Sequence, residues 1–108
     1  SNILFVKKNK IFSPIKNFYK GITFKFFEKK VQKIIKKNIF INTLNNYDEI
    51  ILIGSGKGVV SVESVKKPKW KRKSLKTYRF LSTIYNQAVT KCPLYYGWSI
   101  IPIILKIL

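Results

Sequence analysis

Histidine is absent from this 108-residue chain, cysteine occurs once, and only four acidic residues face 22 basic ones. Without histidine, the usual Cys/His zinc sites and the Ser-His or Cys-His nucleophilic pairs are excluded. A single cysteine, Cys92, excludes an intramolecular disulfide framework. Long apolar runs are scarce as well. The longest charge-free stretch, Cys92–Leu105, has 14 residues and contains Pro102, whereas a membrane-spanning helix needs about 20. No membrane partner is expected, and no charged segment followed by an apolar stretch and a small-residue cleavage site marks a secretory leader. A cytoplasmic location is the expectation. Any chemistry must run on a cofactor, on backbone groups, or on residues outside the chain.

Lysine supplies most of the charge. The net charge is +18, yet arginine occurs only at 72 and 79. Lysine (20), isoleucine (17) and asparagine (8) together fill 45 positions, as pressure toward A- and T-rich codons would produce. The lysines are scattered through every segment, while a dedicated polyanion surface concentrates its charge and favours arginine for bidentate contacts. Weak, salt-sensitive, non-specific binding to nucleic acid is therefore expected. At 46% hydrophobic residues the chain is no disordered basic tail. Its length suits one domain, placed at 1–91, with a hydrophobic tail at 92–108. The start at Ser1, running straight into an apolar segment, and the apolar end lead to the expectation of a piece of a longer protein.

Hydrophobic spacing predicts an α+β unit in the order β-β-α-β-β-β-α, with about five strands and two helices. Residues 3–6 and 10–13 read as a hairpin around Asn9, ended by Pro14. Phe24, Phe27, Val31, Ile34 and Ile35 fall on one face of a helix spanning 22–37. Residues 39–44 read as a strand, and the apolar run 50–53 as a strand buried on both faces. A further strand is expected over 59–65, then a charged connection at 66–73. Ser74 can cap a last helix whose inner face carries Leu75, Tyr78, Leu81, Tyr85, Ala88 and Val89, with Pro93 beyond its end.

Two glycine turns can hold an anion. Gly54-Ser55-Gly56-Lys57-Gly58 is no P-loop. Ile51 stands where the first glycine belongs, Gly58 stands where Ser or Thr should follow the lysine, and the turn leads into a strand. By itself it reads as a turn between strands. The second turn, Lys20-Gly21-Ile22-Thr23, opens a helix, so free backbone N–H groups and the positive dipole end can face an anion. The two turns could converge on one phosphate.

The order of these segments resembles the C-terminal part of the class IV aminotransferases, the fold-type IV pyridoxal-phosphate enzymes. The matching residues are SNILFV at 1–6, IFSP at 11–14, KGITFK at 20–25 and YDEIILIGSGKGVVSVESV at 47–65, followed by the final helix. The resemblance implies a cofactor-binding domain for pyridoxal 5'-phosphate, an amino-acid-type substrate and a homodimer in the intact enzyme. It implies that Ile22 and Thr23 bind the cofactor phosphate through backbone N–H groups, with Ser55 and Gly56 donating from the other side. Tyr19 would occupy the place from which members pack on the cofactor ring. The lysine that holds the cofactor lies upstream in this family, as do a glutamate and an arginine that bind it, so the chain alone is expected to be inactive. Phe24 stands where the family often has arginine, and KKPKWKRK at 66–73 replaces a glycine-rich linker. The LIGSGKGVVSV segment resembles aminodeoxychorismate lyases slightly more than branched-chain aminotransferases, and both reactions stay open. A reading from another class is a small basic nucleic-acid-binding module with Trp70, Tyr78 and Phe80 as stacking rings.

Overall fold

The computed structural model describes residues 2–15, 21–31, 33–54 and 57–91. The first hairpin forms as expected. Strands β1 (Asn2–Lys7) and β2 (Lys10–Pro14) pair antiparallel, with Phe5 opposite Phe12. Their two-residue turn needs positive φ at both positions, and Lys8 (50°) and Asn9 (67°) supply it. Helix α1 (Ile22–Lys30) crosses from β2 to β3 (Ile34–Lys37), which lies parallel to β2. A 3₁₀ helix (Ile41–Asn46) then leads to β4 (Glu49–Gly54), which pairs antiparallel with β1 and with β5 (Gly58–Ser61). The sheet order is β3-β2-β1-β4-β5. A separate ribbon of β6 (Ser64–Val65) and β7 (Trp70–Lys71) precedes helix α2 (Lys76–Lys91).

Period-2 alternation divides the core between the two faces of this sheet. Leu4, Val6, Ile11, Ile51 and Ile53 pack with Phe24, Phe27 and Val31 of the α1 segment and with Leu81 and Tyr85 of α2. Phe5 and Ile50 point the other way, onto Leu44, Tyr47 and Trp70. The expectation that 50–53 is buried on both faces holds for Ile50, Ile51 and Ile53, while Leu52 is half-buried. Burial pushes the Tyr47 and Tyr85 phenols above their ordinary pKa, because the charged form would lose water.

The mixed α+β class, five-stranded sheet and two main helices match the expectation, but four boundaries differ. The first helix ends at Lys30, not 37. Val31 is already extended (φ −98°, ψ 159°), and Ile34 and Ile35 pair with Ile11 and Phe12. The β-branched residues satisfy both periodicities, and the free edge of β2 decides for the strand. The expected strand at 39–44 is instead the 3₁₀ helix. There Thr43 donates to the Phe40 carbonyl from its N–H (2.9 Å) and its hydroxyl (2.6 Å), a local bond that competes with sheet pairing. The expected strand over 59–65 breaks after Ser61, and the charged connection at 66–73 holds β7.

Trp70 accounts for that last difference. It is 1% exposed, and its indole N–H donates to the Tyr47 carbonyl at 3.1 Å. A buried ring cannot stack on a nucleobase, so the nucleic-acid-module reading loses its central aromatic. Ser74 accepts from the Lys76 N–H at 3.1 Å, as a capping residue does.

Candidate functional site

Helix α1 begins at a glycine. Its N-cap, Gly21, offers no side-chain bond, and its first turn holds no acidic residue. The first helical bond runs from the Lys25 N–H to the Gly21 carbonyl (3.0 Å), leaving the Ile22 and Thr23 N–H groups outside the helical ladder. Ile22 is 81% exposed, whereas Thr23 is buried. The aligned peptide dipoles make this end electropositive.

Asn2 fixes where that end lies. In the register of β1 with β4, Asn2 stands opposite Ile53, the residue before Gly54. The buried Asn2 carboxamide oxygen accepts from the Gly21 N–H at 3.4 Å. The start of α1 and the exit of β4 therefore share one end of the sheet. The approach is close, because a Cβ on Gly21 would stand 3.3 Å from that same oxygen. Gly54 and Gly58 pair across the mouth of the second turn, and Gly58 has φ 71°, which suits glycine. Within the turn, the Lys57 N–H donates to the Gly54 carbonyl at 3.3 Å. Of the candidate residues, Ile22 and Thr23 occupy this end, while Ser55, Gly56 and Tyr19 lie outside the described residues. The flanks of the second turn, Gly54 and Gly58, are placed, and they lie on the Asn2 side of the sheet.

The family model for amino-transferase class IV matches residues 1–65. The chain belongs to the class IV aminotransferase family. A Thermotoga maritima protein, provisionally assigned as a branched-chain amino acid aminotransferase, superposes with a TM-score of 0.67 at 21% identity, covering 91% of this chain and 38% of that one. The branched-chain amino acid aminotransferase of Escherichia coli gives 0.66 at 20% identity, covering 90% and 36%. A Brucella abortus aminotransferase bound to the cofactor PLP gives 0.60 at 23% identity, covering 81% and 34%. At such identities the likeness is one of fold. The class IV chain spans little more than a third of the length of these solved structures. No curated protein sequence matches it.

One buried acid escaped the sequence reading. Glu49 is 1% exposed, and its two carboxylate oxygens accept from the Thr77 and Tyr78 N–H groups, each at 2.9 Å. It caps α2 across the fold, alongside Ser74. The signal was present in the alternation, since Glu49 shares a face with Ile51 and Ile53 and a buried carboxylate needs donors. Among the described residues no group of acidic or cysteine side chains could hold a metal ion, and no helix is long and apolar enough to cross a membrane.

Proposed function

We infer that this chain is the part of a class IV enzyme that holds the phosphate of pyridoxal 5'-phosphate, with 1–91 as its folded unit. The described half of the donor set, at the start of α1, supports this reading. A helix N-terminus without acid or side-chain cap meets the exit of a buried strand at one end of the sheet, where backbone N–H groups and the dipole favour a dianion. That convergence through Asn2 is the observation that carries the reading. Ile22 and Thr23 would donate their N–H groups, and Ser55 and Gly56 would donate from the second turn. When bound, the cofactor supplies the electron sink for chemistry at an amino-acid α-carbon. This chain's residues would position it and neutralise its charged end. In this reading the lysine that carries the cofactor would lie outside residues 1–108, and the chain alone would be inactive. The amino-acid substrate and the homodimer are part of the same proposal.

Amino-group transfer to a 2-oxo acid is the reaction best supported, since the family match is to aminotransferases. The second reading, an aminodeoxychorismate lyase, rests on the Gly58-Val59 step after the turn. Assays of the whole protein with leucine plus 2-oxoglutarate, and with aminodeoxychorismate, separate the two. The phosphate role is tested by Thr23→Glu in the whole protein. A carboxylate in the first turn should weaken pyridoxal phosphate binding by roughly tenfold or more, while leaving pyridoxal, which lacks the phosphate, nearly unchanged. Equal losses for both ligands would contradict it.

A further inference from the structure

At the opposite end of β4 from the Gly54 turn, a groove of ≈ 710 Å³ opens between the sheet and the start of α2. Ile11 and Val31 give it an apolar lining, and Phe80 of α2 contributes a ring that is 54% exposed. Lys10, Lys33 and Lys76 also line it, and no acidic residue does. None of the three ammonium groups has an ion-pair or hydrogen-bond partner among the described residues. Glu49 sits beneath the first turn of α2, but it is buried and both its oxygens are committed to Thr77 and Tyr78. The groove therefore combines unpaired cations with exposed apolar surface.

We propose that this groove binds a small amphipathic anion, a carboxylate carrying an alkyl chain or an aromatic ring. Its size falls within the range of small-molecule sites, about 300–1,000 Å³. The apolar part would cover Ile11, Val31 and Phe80, and the carboxylate would meet the Lys33 and Lys76 ammonium groups. Neither half of the ligand suffices: a purely apolar molecule leaves the cations unmet, and a free small anion leaves the apolar surface wet. The inference does not depend on the cofactor reading, because its residues lie at the other end of the strand.

Calorimetric titration of the whole protein with octanoate, octan-1-ol and octylammonium tests the proposal. Octanoate should saturate a single site, octanol should bind about tenfold more weakly, and octylammonium should not bind. The double variant Lys33→Glu/Lys76→Glu should weaken octanoate by roughly tenfold, and Phe80→Ser by about fivefold. All three positions are exposed, so these changes leave the core intact. Absence of octanoate binding, equal affinity for octanol, or an unchanged octanoate constant in both variants would overturn it.

Discussion

Glu49 shows how much a single side chain can decide. Its carboxylate is buried and receives two backbone N–H groups that α2 cannot pair internally. In Glu49→Gln one acceptor oxygen becomes a donor amide facing a donor N–H, and the buried mismatch should cost about 1–3 kcal/mol. Thermal unfolding of the whole protein reads this as a lowered midpoint, and an unchanged midpoint would remove the capping role. At α1 the N-cap Gly21 makes no side-chain cap bond, and in the proposed reading the Ile22 and Thr23 N–H groups would meet a phosphate instead.

At the scale of elements, the ribbon β6–β7 and the buried Trp70 tie the 66–73 segment to Tyr47. Trp70→Ala should cost about 3–5 kcal/mol and speed amide exchange first in 64–71 and at Tyr47. Uniform exchange changes across the sheet would argue against a local anchor. The first hairpin and the inner face of α2 were legible because each shows one periodicity, and the run 50–53 because it is continuously apolar between turn residues. The 31–37 segment was not legible, since Val31, Ile34 and Ile35 suit a helix face and an edge strand alike. Only the free edge of β2, a tertiary fact, separates the two. Trp70 was hidden by the six basic residues around it in 66–73, which mask a core residue in a window average. Of the candidate site, the Gly21-Ile22-Thr23 turn was read from its helix start, but Asn2 as the link to β4 was not. That contact depends on strand register, which short-range patterns do not contain.

For the molecule as a whole, charge and apolar surface pull in opposite directions. The face of the sheet away from α1 and α2 holds a cleft of ≈ 370 Å³ lined by Ile3, Leu52, Ile41 and Val62, and Ile41 is 69% exposed. A net charge of +18 opposes association at low salt, but screening shortens to about 8 Å at physiological ionic strength. The isolated 108-residue chain is expected to scatter light as a monomer at low salt and to self-associate as salt rises. A stable monomer throughout the titration would mean that this face needs no cover. The central claim concerns the end of the sheet where α1 starts beside the exit of β4. A crystal structure of the whole protein with pyridoxal phosphate tests it most directly. The expected result places phosphate oxygens about 3 Å from the Ile22 and Thr23 nitrogens, with Ser55 and Gly56 on the opposite side. A phosphate bound elsewhere, with those two N–H groups turned to solvent, would contradict it.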